Sequence, residues 1–116
     1  MTATSLTQSE TRLLDDMVQV MVKTAAPEKI ILFGSRAKGT AEESSDYDFL
    51  VIESEPFGES GSRRKEIGKI GRALAKFGVP TDILLYSPSE IEQRRHWRNG
   101  VISDVLKEGR VLYERA

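Results

Sequence analysis

Apolar side chains near the start of the chain recur at helical spacing. Leu13, Leu14, Met17, Val20 and Met21, with Thr24 behind them, share one face, the stripe of an amphipathic helix. Thr7 and Glu10 stand three positions apart, the spacing of a capping box, so a helix is predicted over Gln8 to Thr24. Pro27 ends it. The period then changes: Lys29-Ile30-Ile31-Leu32-Phe33 is an unbroken apolar run and reads as a strand buried on both faces. Gly34 to Gly39 reads as a turn followed by at most a short helix, and Thr40 to Ser45 as a polar loop. Asp46 to Ile52 is a second strand, polar at its head and apolar beyond it. Pro56, Gly58 and Gly61 mark Glu53 to Gly61 as the most mobile loop. A helix is predicted over Ser62 to Phe77, with Ile67, Ile70, Leu74 and Phe77 on one stripe, Gly78 at the stop and Pro80 beyond it. Thr81 to Tyr86 is a third strand. Ser87-Pro88-Ser89-Glu90 joins an N-cap serine, a proline in the first turn and a glutamate at the third position. That helix is predicted to run to about Arg98, break at Asn99-Gly100 and resume to Glu108, before Gly109 and a short last strand, Arg110 to Tyr113. Alternation of this kind, without internal repeats, predicts an α/β (α+β) fold in which helices cover a sheet.

Composition narrows the field. The 116 residues, 13.0 kDa, fit one compact domain, residues 1–116. A chain of this size buries roughly 65% of its extended surface, enough for one core. With no cysteine there is no disulfide framework, thiolate metal site or cysteine nucleophile. A net charge of −1 gives no global attraction to nucleic acid, although a local patch can still exist; direct nucleic-acid binding is not expected. No apolar run approaches the ~20 residues that cross a membrane. Met1 to Ser5 carries neither the basic start nor the apolar core of a signal peptide. The expected location is cytoplasmic, without membrane contact.

The stretch from Gly34 to Asp48 carries the most chemistry. It begins at the C-terminal end of a buried strand, where ligands commonly sit in open α/β sheets. Gly34 permits a sharp turn and close backbone approach, and Ser35 offers a hydroxyl and a backbone N–H suited to a phosphate. Asp46 and Asp48 are two apart in a strand, so they point to one face about 6.6 Å apart. At that separation they repel by roughly 2–3 kcal/mol at an effective dielectric near 20, and aspartate is a poor strand former. The pair fits a hard divalent cation such as Mg²⁺, or a solvated strand entrance after Ser44-Ser45. Asp82 opens the third strand. It reaches the same site if that strand neighbours the second, and is otherwise a turn residue after Pro80-Thr81. Three carboxylates in one site are enough for two divalent ions.

Gly34-Ser35, ten intervening residues and Asp46-Tyr47-Asp48 resemble the signature of the DNA polymerase β-like nucleotidyltransferase superfamily. Gly34 to Gly39, Ser45 to Asp48, Thr81 to Leu84, Ser87-Pro88 and Glu108 to Tyr113 look like a minimal nucleotidyltransferase, and the resemblance covers nearly the whole chain. It implies a small mixed sheet of about four strands covered by helices, the nucleotidyltransferase fold. It implies Mg²⁺, two ions, held by Asp46, Asp48 and Asp82, which are also the catalytic residues. It places the phosphates of a nucleoside triphosphate, ATP as donor, on Gly34, Ser35 and Arg36, and Asp82 beside the acceptor hydroxyl. The expected reaction transfers a nucleoside monophosphate to a hydroxyl and releases pyrophosphate. Larger members carry a second domain for the acceptor, and these 116 residues do not, so the acceptor is left open. Minimal members commonly pair with a helical HEPN-type toxin, which makes this chain an expected antitoxin that modifies a tyrosine of the toxin with AMP. Alternatives are a non-catalytic module that masks its partner stoichiometrically, and an enzyme with a small-molecule acceptor such as an aminoglycoside. A homodimer or hetero-oligomer fits the small size.

Several cations are ambiguous in the sequence. Arg36 and Lys38 suit either triphosphate charge or solvent. Arg63-Arg64-Lys65 at a helix start reads as a solvated face, since cations are slightly unfavourable there. Arg94-Arg95-His96-Trp97-Arg98 holds the one Trp and the one His; the expectation is Trp97 in the core and the arginines in water. His96 has no second histidine with which to bind a metal.

Overall fold

A computed structural model describes residues 6–42 and 44–116; Met1 to Ser5, read above as no signal peptide, and Glu43 in the polar loop lie outside the described residues. Helix α1, Gln8–Thr24, is closed by the predicted capping box: the Glu10 N–H donates to the Thr7 hydroxyl, and the Thr7 N–H to the Glu10 carboxylate. It is followed by β1, Lys29–Phe33, α2, Ser35–Lys38, and β2, Tyr47–Ile52. Next come α3, Arg63–Leu74, β3, Thr81–Tyr86, α4, Pro88–Arg94, α5, Val101–Glu108, and β4, Arg110–Glu114.

The four strands form one mixed sheet in the order β3-β2-β1-β4. β1 is antiparallel to both β2 and β4, while β2 and β3 are parallel. Side chains alternate across the sheet, which sorts them between two cores. Ile30, Leu32, Phe49, Val51, Ile83 and Leu85 face the larger one with Met17 and Met21 of α1 and Ile70 and Leu74 of α3. Ile31, Leu50 and Ile52 face the smaller one with Ile91 of α4 and Ile102 and Val105 of α5. The central strands β1 and β2 are therefore apolar on both faces, as their unbroken runs predict. Gly109 has an ordinary φ of −74° but no room for a side chain: a Cβ would stand 2.6 Å from the Val105 carbonyl oxygen and 3.1 Å from that of Leu32. It lets the end of α5 lie directly on β1.

Four expectations need correction. The second long helix tightens into a 3-10 turn at Ala75–Phe77 before the left-handed Gly78 (φ 69°). The fourth helix stops at Arg94, not Arg98: a turn closes from the Trp97 N–H to the Arg94 carbonyl, and Asn99 takes φ 60°. Trp97 is 55% exposed rather than in the core. Arg63 is not a solvated side chain, for it binds Glu90 of α4 and lies over the rings of Phe57 and Tyr86 at 5.1 and 5.4 Å. That clasp also bears on the loop expected to be most mobile, because Phe57 at its middle is buried in the larger core.

Candidate active site

The site lies where the end of β1 meets the heads of β2 and β3. Phe33 pairs with Asp48, and Asp48 pairs with Asp82, so the three stand in a row across adjacent strands. Their parity puts them on the sheet face that carries α4 and α5. The condition left open in the sequence, that the third strand neighbour the second, is met by the parallel β2–β3 ladder. Neighbouring strands are about 4.8 Å apart, which brings the two carboxylates within easy electrostatic reach. Asp46 precedes the first paired residue of β2, Tyr47, so it sits on the solvated rim rather than in the ladder.

These positions differ in solvation. Asp48 is half-buried and Asp46 and Asp82 are exposed. Burial pushes the Asp48 carboxyl up from its usual range, and the neighbouring charges of Asp82 and Asp46 add to the effect. A carboxylate held in this way is under pressure to take up either a proton or a cation. Among the described residues no three acidic side chains already converge as a closed ligand cage. The heads of β2 and β3 form an open acidic edge.

Gly34 faces Asp48 across this edge. It has φ 75°, a region costly to residues with a side chain, and a Cβ there would overlap Asp48 Oδ2. The absent side chain keeps backbone and carboxylate in direct apposition. Ser35 then opens α2, where first-turn N–H groups have no helical acceptor. The Gly34 carbonyl accepts from Ala37 and Lys38, and Gly39 closes the turn with φ 78°.

Arg36, expected at the phosphates, makes contacts within the protein. Its Nε and one terminal nitrogen donate to the Ser45 carbonyl at 3.3 and 2.9 Å, the other reaches Glu10 at 3.2 Å, and its plane lies 4.3 Å above the Tyr47 ring. It braces the segment that carries Asp46. Lys38 pairs with Glu108 of α5 at 3.1 Å, with both groups about half-exposed. Beside Gly34 opens a pocket of about 210 Å³ lined by Phe33, Lys38, Val101, Asp104, Val105 and Glu108. The α5 wall of this pocket gives no signal in the sequence beyond its helical period.

The nucleotidyltransferase domain family matches residues 14–112, nearly the whole chain and every part of this site. The chain belongs to that family. It is 35% identical over 85 residues to the "Putative protein adenylyltransferase MJ0604" of Methanocaldococcus jannaschii, covering 73% of this chain and 77% of that protein. Solved structures share the fold. The structure of a "putative nucleotidyltransferase" from Sulfolobus solfataricus aligns with a TM-score of 0.53 at 19% identity, over 90% of this chain and 80% of that one. A toxin–antitoxin solved with AMP-PNP aligns with a TM-score of 0.55 at 20% identity, over 88% and 73%. The toxin–antitoxin MntA-HpeT, in a mutant form, aligns with a TM-score of 0.55 at 18% identity over the same shares. The resemblance read from Gly34-Ser35 and Asp46-Tyr47-Asp48 is borne out: the chain is a nucleotidyltransferase with a four-stranded mixed sheet. Among the described residues no helix is long and apolar enough to cross a membrane.

Proposed function

We propose that this chain moves AMP from ATP onto a hydroxyl of a protein, a tyrosine of a HEPN-type helical toxin, and serves as the antitoxin of that pair. The observation that carries the reading is the apposition of Gly34, which has no room for a side chain, to Asp48 in register with Asp82. The acceptor class is supported by the relative named "Putative protein adenylyltransferase MJ0604", the donor by the fold neighbour solved with AMP-PNP, and the partner by the toxin–antitoxin assemblies.

Asp46, Asp48 and Asp82 are a donor set of hard oxygens at an open edge, which fits Mg²⁺ shared with substrate phosphates. Bound there, the metal, as two ions, supplies charge neutralisation to the phosphates and makes the acceptor hydroxyl easier to deprotonate. Gly34 lets the phosphates approach the backbone, and the Ser35 N–H and hydroxyl hold them. Asp82, exposed beside Asp48, receives the proton of the incoming hydroxyl. The acceptor oxygen forms a bond to the α-phosphorus. The bond from that phosphorus to the oxygen bridging the β-phosphate breaks, and pyrophosphate leaves with the electron pair. Positioning and charge neutralisation carry such a transfer, with no covalent intermediate on the protein.

The test is intact mass spectrometry after the protein is incubated with Mg²⁺-ATP and the product of the neighbouring reading frame. The partner should gain about 329 Da per AMP, and Asp46→Asn with Asp48→Asn should abolish the gain. A partner that is neutralised in a stable complex without any mass gain overturns the reading in favour of stoichiometric masking.

A further inference from the structure

We propose that the turn between α4 and α5, residues 95–100, is the surface on which the acceptor protein docks, and that it takes an acidic polypeptide segment. This rests on the reading above that the acceptor hydroxyl belongs to a protein.

The turn presents an unexplained combination of side chains. Trp97, in the turn, and Val101, at the start of α5 beyond the left-handed Asn99, are each 55% exposed. Burial of two such side chains is the ordinary fate of apolar groups, and leaving each in water costs stability. Trp97 is nevertheless held in place. The Arg94 guanidinium lies over the Tyr86 ring at 5.0 Å and over the Trp97 ring at 4.9 Å. The Trp97 carbonyl accepts from the Gly100 N–H at 3.3 Å and from the Ser103 hydroxyl at 3.1 Å. A rigid aromatic ring presented to solvent loses little entropy when a partner covers it.

Charge decides what that partner is. Arg94, Arg95, His96 and Arg98 fall within five consecutive residues. Of these four, only Arg95 has a carboxylate at ion-pair distance among the described residues, Glu92 at 3.1 Å. The patch is basic on a chain whose net charge is −1, so its complement is locally acidic. Tryptophan and arginine are the residue types that dominate protein interfaces. A single-stranded nucleic acid needs successive rings on which to stack bases. Here Tyr86 is half-buried beside Arg94 and Trp97 is the exposed indole, with acidic Asp104 in the same hollow, which favours a polypeptide.

Position ties the patch to the chemistry. The hollow around Trp97 and Arg98 and the pocket beside Gly34 share Asp104 as a common wall. A segment seated on Trp97 therefore continues over Val101 towards Gly34 and Asp48, where a hydroxyl is to be delivered.

Trp97 is the one tryptophan in the chain, so its fluorescence reports this surface directly. The probes are a random glutamate–tyrosine copolymer, a lysine–tyrosine copolymer and oligouridylate, each titrated into the full chain without nucleotide. The acidic copolymer should quench Trp97 saturably, and Arg98→Glu should weaken its binding about tenfold. With Mg²⁺-ATP present, the same copolymer should accept AMP. Trp97→Ala should raise its KM about tenfold with little change in kcat, and Trp97→Phe should restore it, while circular dichroism verifies the fold of each variant. Binding of oligouridylate but not the acidic copolymer overturns the proposal in favour of a nucleic acid. Absence of binding, or binding that ignores Arg98→Glu, overturns it outright. Copolymer binding without AMP transfer instead counts against the transferase reading and leaves the docking surface standing.

Discussion

Among the described residues five glycines have positive φ, and two of them, Gly34 and Gly78, do so for different reasons that can be measured. Gly34 has φ 75° and its missing side chain leaves the space occupied by the Asp48 carboxylate; Gly78 has φ 69° and would meet nothing within 4 Å. Alanine at either position incurs a conformational cost, about 1–3 kcal/mol, heavier at Gly34, whose ψ of −159° lies in a region essentially confined to glycine. Only Gly34→Ala also drives Asp48 from its place at the head of β2. Displacement of a reacting group by about 1 Å costs on the order of 100-fold in rate. Gly34→Ala is therefore expected to reduce AMP transfer at least about 100-fold, while Gly78→Ala lowers the melting temperature and leaves transfer intact. Equal activity losses in the two variants would show that Asp48 does not depend on the bare backbone at Gly34.

Arg36 works at the scale of elements. One guanidinium joins Glu10 of α1, the Ser45 carbonyl and the Tyr47 ring of β2 to α2, and charged hydrogen bonds of this kind are worth about 1.5–3 kcal/mol. Arg36→Ala is expected to lower stability by about 2 kcal/mol in urea unfolding and to weaken nucleotide binding only modestly. Loss of affinity without loss of stability would return Arg36 to the phosphates, where its place in the sequence puts it. The case shows which parts of the site are legible in the chain alone. The capping boxes at Thr7 and Ser87, the apolar run of β1 and the Gly34-to-Asp48 spacing are local patterns, and the structure reproduces them. The Asp48–Asp82 pairing is legible only conditionally, because strand order is not written in any one segment. What stays hidden depends on long side chains meeting other elements. Arg36 reaches Glu10, twenty-six residues away, and Arg63 reaches Glu90, twenty-seven away; neither contact leaves a periodic signal. Residue type alone assigns Trp97 to the core, whereas the early stop of α4 turns it outward.

At the scale of the molecule, β2 carries acid at both ends. Asp48 stands at its head, and Glu53 follows its last residue, about 16 Å further along the strand. The two ends are solvated differently. Glu53 and Glu66 of α3 are both buried, Lys69 reaches Glu66 at 3.1 Å, and Glu53 Oε2 has no hydrogen-bond partner among the described residues. Burial, the hydrogen bond to Glu66 and its negative charge push the Glu53 carboxyl up to about 7. The folded state therefore binds this proton more tightly than the unfolded chain, whose glutamate titrates near 4.5. The stabilising contribution is complete below the unfolded value and is lost as pH rises towards 7. At about 1.4 kcal/mol per unit, the loss is at most about 3 kcal/mol. The protein should melt at a higher temperature at pH 6 than at pH 8. Glu53→Gln removes the titrating group while keeping the shape, so it should raise the melting temperature at pH 8 and flatten the pH profile. AMP transfer should be unaffected, because the pair lies at the far end of β2 from Asp48. Parallel melting profiles for the wild type and Glu53→Gln would mean that the acid pair is already ionised and compensated by Lys69. A loss of transfer in the same variant would mean that the two ends of β2 are coupled through the strand itself.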